Sequence, residues 1–434
     1  MRYLTRLRAS LVLIAVLALV VTACSPADDD GAATTTEGST ATTAEAAPDT
    51  TEAAPDATTT TGEEPMEPLV FGMILVGPEN DRGWSQAHHE AGKYLEEQLG
   101  AEMITLDKVN TSDRPDTTVE QVVDDMVAQG AQLVFMTSDD MRDGALAAAA
   151  AHPDVPMIWS SGDSAWEEGE AYAGLENLGN SMGRMYYAKM AAGCAAAMAS
   201  QTGEIAYLGP LINDETRRLV NSAYLGAKHC WTEVLGNDAA DLAFEVNWIG
   251  FWFNIPGFTL DPTEVANGFF DGGADVVISG IDTTEALVVA GQRSTAGESV
   301  WAVPYDFEDA CAEAPEVCLG VPYFNWRPHY LEIAKSVQDG TFAADWQWNG
   351  PDWGDPTNLS TTAIGWIPGD ALSAEANAAL NTLFGGLANG SLNLFTGPLN
   401  YQDGSEYLAD GAEATDHDLW YTKQLLDGIE GASS

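Results

Sequence analysis

The chain has 434 residues, with 66 Asp and Glu against 17 Lys and Arg, a formal charge of −49 and 45% hydrophobic residues. That composition can bury a large core under a strongly acidic surface, and it argues against nucleic acid as a partner. After the N-terminus no apolar run reaches the roughly 18 to 20 residues needed to cross a bilayer.

Arg2, Arg6 and Arg8 precede an apolar run over 11–21, long enough for the core of a signal peptide and short for a spanning helix. It ends in Val21-Thr22-Ala23-Cys24, which resembles the lipobox of bacterial lipoproteins, so residues 1–23 are expected to be removed and Cys24 lipidated. Cleavage would remove three arginines and no acid, leaving 14 basic against 66 acidic residues and a charge of −52. Residues 24–67 are mainly Thr, Ala, Glu, Asp, Pro and Gly and cannot build a core. An extended stalk is expected there, holding the folded part off the membrane.

Four cysteines remain, Cys194, Cys230, Cys311 and Cys318, an even number in an oxidising compartment. Three pairings are possible. Cys194 with Cys230 and Cys311 with Cys318 are favoured, because the second pair closes a short loop and the first joins neighbouring helices. No CxxC spacing is present, so no zinc or redox site is expected.

From residue 69 apolar, strand-like runs alternate with helical patterns, the signature of parallel βαβ units. Strands are expected at 69–76, 103–106, 132–137 and 155–159, with helices at 85–99, 118–128 and 145–151. A second series begins with an Ala- and Met-rich helix at 181–200. It continues with strands at 204–208, 243–248 and 275–279 and helices at 215–228, 264–270 and 284–292. Strands at 301–304 and 317–322 lie near a crossing between lobes, and a helix at 327–337 returns to the first. The expected α/β architecture has two lobes, 68–176 with about 305–345, and about 177–304 with 346–434. Parallel sheets flanked by helices then frame a ligand cleft at the strand ends.

The motifs of nucleotide-binding loops, nucleophile elbows and zinc proteases are missing, and no nucleophile stands beside a base, so no enzyme, cofactor or metal is expected. His88 and His89 are adjacent on a helix, point in different directions, and read as exposed histidines. Thirteen tryptophans stand out, several beside Gly, Asn or Asp near strand ends. Trp84, Trp252 and Trp326 are candidates to clamp a flat ligand, since each stacked ring is worth roughly 1 to 3 kcal/mol. Asn80, Asp81, Asp139, Asp140 and Asp306 are candidates to accept its N–H or O–H groups.

The motif Gly77-Pro78-x-x-Asp81-x-Gly83-Trp84, followed by Ser85-Gln86-Ala87-His88, resembles the opening of the basic-membrane-protein family, the PnrA-like substrate-binding lipoproteins of ABC transporters. Gly203-Glu204-Ile205-Ala206-Tyr207-Leu208-Gly209, residues 221–227 and Phe395-Thr396-Gly397-Pro398-Leu399 extend it over about 69–427. The resemblance implies a type I periplasmic-binding-protein fold, a purine base or purine nucleoside as ligand, and ABC permease subunits as partners of a monomeric, membrane-tethered protein. The blocks around Trp84, Trp252-Phe253 and Trp326 look most like a branch associated with bases such as adenine. By resemblance Trp84, Trp252 and Trp326 stack on the ring, and Asp306 with Asn80 or Asp81 meets its polar edges. The chain has Gly77-Pro78 where nucleoside-binding members carry an Asp, and Asn325 where they carry a Lys, so ribose contacts do not carry over, and Asn325 itself is expected among the ligand-binding residues. The stretch 255–260 reads as extra loop beside the clamp, able to reshape the pocket.

Overall fold

The computed structural model describes residues 68–434; the expected signal peptide, Cys24 and stalk lie outside the described residues. The first lobe opens with β1 (Val70–Ile74), α1 (Trp84–Leu99), β2 (Glu102–Leu106), α2 (Val119–Ala128), β3 (Leu133–Met136), α3 (Arg142–Ala151) and β4 (Met157–Ser160). Each strand is an apolar run, and β1, β3 and β4 are buried almost throughout, as a parallel sheet covered by helices on both faces requires. Helix α2 starts at a capping box in which Thr118 and Gln121 satisfy each other's backbone N–H.

The chain then adds β5 (Leu178–Gly183) to the same sheet before α4 (Tyr186–Ala199) begins. The helix expected from residue 181 therefore starts five residues later. The sequence Leu-Gly-Asn-Ser-Met-Gly has no β-branched residue, and the strand forms because β4 and a later strand pair with it on both sides.

The second lobe contains β6 (Glu204–Gly209), α5 (Asp214–His229), β7 (Ala243–Trp248), α6 (Pro262–Gly272), β8 (Val276–Ser279), α7 (Glu285–Thr295) and β9 (Trp301–Val303). After it, β10 (Gly320–Phe324) pairs antiparallel with a later strand, and α8 (Arg327–Gln338) returns to pack on α1 of the first lobe. Next comes β11 (Trp346–Asn349), which closes the edge of the first sheet, and β12 (Ile364–Pro368), the partner of β10. The remainder, α9 (Ala374–Ala388), β13 (Leu399–Asn400), β14 (Glu406–Leu408) and α10 (Asp416–Trp420), had no expected counterpart.

Two parallel sheets result, ordered β11-β5-β4-β3-β1-β2 and β7-β6-β8-β9. By sheet membership, residues 178–183 and 346–349 belong with the first lobe, across the boundaries expected at 176/177 and 345/346. Helices α4 and α5 lie in close contact, with Gly193 against the Ala223 backbone and Gly226 against that of Met190, where a Cβ would overlap main-chain atoms. A disulfide between Cys194 of α4 and Cys230 just beyond α5 ties this pair, and Cys311–Cys318 closes the loop after β9, so both favoured pairings are present. No described helix is long and apolar enough to cross a membrane.

Candidate functional site

The carboxyl ends of β1, β3 and β4 face those of β6 and β8, and the chain between β9 and β10 runs between them. There Trp84 and Ser161 of the first lobe, Tyr207, Glu215, Trp252 and Asp282 of the second, and Tyr305 and Asp306 of the connecting segment line a narrow cavity. The lobes touch around it: Gly83 packs on the Asp282 carbonyl, Arg82 pairs with Glu313, and the Asn213 amide donates to Asp139 at 3.5 Å.

Trp84 is the first residue of α1, and the turn before it is built to hold it. The Asp81 carboxylate accepts the backbone N–H groups of Gly83, Ser85 and Gln86 at 2.9 to 3.0 Å, capping the helix. Burial nevertheless pushes the Asp81 carboxyl up to about 6, against those three donors. The Trp84 indole N–H donates to the Thr137 carbonyl at 2.5 Å, and its ring meets Phe324 and Trp326 edge-on. Its orientation is thus fixed from behind. Trp252 comes from the loop after β7 and is held by its carbonyl, which accepts the Asp282 N–H at 2.9 Å.

Asp306 sits in a left-handed backbone conformation, φ 73°, which costs an ordinary residue about 1 kcal/mol or more. The cost is met by bridging to β10: its N–H donates to Pro322 at 3.2 Å and its carbonyl accepts from Phe324 at 3.0 Å. Ser161, also lining the cavity, has φ 70°, so two of the four non-glycine residues with positive φ among the described residues stand here. The Asp306 side chain is fully buried, and among the described residues neither carboxylate oxygen finds a hydrogen-bond partner. Burial raises its pKa well above the carboxylate range, although the charge of Lys189 opposes this. Lys189 is itself fully buried, donates to the Ser279 carbonyl at 2.6 Å and lies 3.3 Å over the Tyr305 ring. Asp282, also raised by burial and by Asp306, and Glu215, raised to about 7 by burial, complete an acid-rich wall.

Two indoles from opposite lobes and three acidic side chains thus line one cleft, which can offer aromatic surface and carboxyl oxygens to a small molecule. Through Ser161 and Glu215 the cleft adjoins a larger and more polar depression, lined by Asp139, Arg142, Asp163, Asp214, Arg218 and Tyr421 among others.

Of the residues singled out in the sequence, Trp84, Trp252 and Asp306 therefore meet in one cavity, and Asp139 lines the next. The others sit around it. Asn80 is exposed in the turn before α1, where Asp81 is spent on the helix cap. The Asn325 amide donates to Leu359 and Thr362 at 2.8 and 2.6 Å, pinning the loop before β12. Trp326 is buried behind Trp84, stacked on His88 at 4.1 Å and on Phe324 at 5.2 Å. The histidines are not exposed as expected: His88 is fully buried and bonds the Tyr330 hydroxyl at 2.7 Å, and His89 is 9% exposed. The turn 255–260 is not part of the cavity wall. Sequence reasoning missed Tyr207, Tyr305, Glu215 and Asp282. Asp282 follows β8 as Asp139 follows β3, so the same position rule finds it.

A family model described as ABC transporter substrate-binding protein PnrA-like matches residues 69–349. The chain is 30% identical over 367 residues to a purine-binding protein of Brucella abortus (strain 2308), covering 84% of this chain and 93% of that one. It is 27% identical over 301 residues to a Haloferax volcanii protein provisionally named an ABC transporter glucose-binding protein, 69% of each chain. Among solved structures, a solute-binding protein of an ABC transporter system from Aeropyrum pernix K1 matches with a TM-score of 0.60 at 12% identity, covering 82% of this chain and 96% of that one. The architecture is the two-lobe type I periplasmic-binding-protein fold, and proteins of this kind bind solutes for transport and are not enzymes. The chain belongs to the PnrA-like family of ABC transporter substrate-binding proteins.

Proposed function

We propose that this substrate-binding protein, tethered outside the cytoplasmic membrane through a lipid on Cys24, captures a purine base or purine nucleoside between its lobes and delivers it to the ABC permease. The observation that carries this reading is the pairing of Trp84 and Trp252, one from each lobe, on a cavity that also holds the buried Asp306 carboxylate. A purine offers two apolar faces to the indoles and ring or exocyclic N–H groups to the carboxylates, and only a closed cleft uses both. The name of the Brucella relative supports the same ligand class. Adenine fits the expectation from the Trp84 and Trp252 blocks.

A sugar is the second reading. The polar depression beside the cleft, with several carboxylates and the Tyr421 ring, supports it, as does the provisional name of the Haloferax relative. Titration calorimetry with adenine, adenosine, inosine, guanosine and glucose separates the two. Heat with a purine and none with glucose is expected; heat with glucose alone replaces the purine reading.

A further inference from the structure

Helix α4 is buried almost throughout and is made of Ala, Met, Gly, Tyr and Cys but for one charged residue, Lys189. The other lysines among the described residues are exposed, whereas Lys189 is 0% exposed. Its stem does not carry the ammonium out to water, as a snorkelling lysine does. Instead the Nζ donates to the Ser279 carbonyl at the end of β8, lies 3.3 Å over the Tyr305 ring and stands 5.3 Å from the centre of the Tyr207 ring. Both tyrosines line the ligand cavity and Lys189 does not, so the ammonium backs the cleft wall from behind.

An ammonium taken out of water needs a counter-charge, because an unpaired buried charge is among the costliest arrangements a fold can hold. Asp306, the residue after Tyr305, is equally buried, and neither of its oxygens has a hydrogen-bond partner among the described residues. Burial works against both charges. What opposes it at Lys189 is first the charge of Asp306 and then that of Glu215, and what opposes it most at Asp306 is the charge of Lys189. The other titratable groups that act on Asp306 or on which it acts are Asp81 before α1, Glu215 of α5, Asp282 after β8, and the Tyr207 and Tyr305 hydroxyls. All of these are acids, so Lys189 is the cation of the set.

We propose that Lys189 is a specificity-determining residue that acts through Asp306, supplying from behind the cleft the positive charge that keeps this carboxyl ionised. Each charge offsets part of the burial cost of the other, so the two ionise together. The consequence for the solute is the direction of one hydrogen bond. An ionised Asp306 only accepts, and so favours a solute that turns an N–H or O–H group toward it. A protonated Asp306 also donates, and admits a carbonyl oxygen or a ring nitrogen at the same place. Lys189 fixes the first case without touching the solute. The ligand class is thus one with a donor and no anionic group at this edge, which a purine N–H or amino group satisfies. The inference rests on the reading of this cleft as the binding site and not on the solute being a purine.

The test uses the full-length protein, first without ligand. The carboxyl stretch of Asp306 is isolated as the infrared difference between wild type and Asp306→Asn and followed against pH, and the same difference is taken on a Lys189→Met background. Loss of the opposite charge should raise the pH at which the protonated-carboxyl band disappears by roughly 1 to 3. A lysine with a merely structural role would change the melting temperature and leave that band where it was, and this result overturns the proposal. Should Lys189→Met not fold, the reciprocal titration needs only wild type and Asp306→Asn. The Lys189 ammonium, followed through the NMR shift of its ε-carbon, should then lose its proton at a lower pH in Asp306→Asn, and an unchanged titration counts against the pairing. Calorimetry with adenine reads the ligand side. Affinity in Lys189→Met should fall roughly 10-fold or more at pH 7 and recover as pH rises past the loss of the Asp306 band; a fall that no rise in pH restores contradicts the assignment. A shifted band with no adenine heat in either protein removes the purine reading alone.

Discussion

Gly83 and Asp282 meet backbone to backbone across the cleft, with no room for a Cβ at position 83. The contact exists only while the lobes touch, so its steric demand falls on closure and spares the fold of either lobe. Overpacking of this kind costs about 1 to 3 kcal/mol. Gly83→Ala is therefore expected to weaken ligand affinity roughly 10- to 100-fold while the melting temperature of the unliganded protein stays near wild type. Calorimetry and a thermal melt on the same sample check both halves; a large drop in the unliganded melt would show that the contact supports folding instead.

The two indoles of the clamp should respond differently to truncation. Trp84 is 8% exposed and packs on Phe324 and Trp326, so Trp84→Ala should cost about 3 to 5 kcal/mol of stability as well as affinity. Trp252 stands on a loop and is only half-buried. Trp252→Ala should leave stability within about 1.5 kcal/mol of wild type and weaken binding by roughly 1 to 3 kcal/mol. Denaturant melts with matched calorimetry distinguish the two.

Asp306→Asn keeps the side-chain shape, and Asn tolerates a positive φ, so the bridge to β10 should persist. What changes is the donor and acceptor set, since the variant puts an NH2 donor where a carboxyl oxygen stood. A ligand N–H left facing that donor unpaired costs about 1 to 3 kcal/mol, so affinity should fall roughly 10- to 100-fold. Equal affinity in the variant would mean that the ligand does not reach this carboxylate.

Burial lifts Glu215 to about 7 and Asp139 to about 6. A carboxyl whose folded pKa is raised binds its proton more tightly folded than unfolded. Its contribution to stability is complete below the unfolded value near pH 4.3 and is lost as pH rises through the folded value. Unliganded protein should therefore lose stability between about pH 4.5 and pH 7. Glu215→Gln should flatten that slope by an amount on the order of 2 kcal/mol; an unchanged slope in denaturant melts would show that Glu215 does not carry it.

Much of the fold was legible because its strands are apolar runs of fixed length between helical patterns. Strand β5 was not, since Gly179, Asn180, Ser181 and Gly183 have no strand preference of their own. They are small where close packing needs it: a Cβ at Gly183 would run into Phe324 and Ile364. At the site, Trp84, Trp252 and Asp306 were visible from aromatic and acidic residues set just past strands. Trp326 carries the same local signal yet lies in the layer behind Trp84, because depth within an aromatic stack depends on which helix packs behind it. Asn325 and Asp81 likewise look like ligand groups in sequence and are consumed by backbone partners, a distinction made only by tertiary contacts. Tyr207 and Glu215 had no local signal, since one lies within β6 and the other in the first turn of α5.

Capture of a purine between Trp84 and Trp252 would leave a bound mass that can be weighed directly. Native mass spectrometry of residues 68–434, purified without refolding, weighs whatever the cleft carries. A bound mass equal to a purine base or purine nucleoside, lost in Trp252→Ala, is the predicted result. A hexose or another unrelated mass retained by both proteins would contradict it.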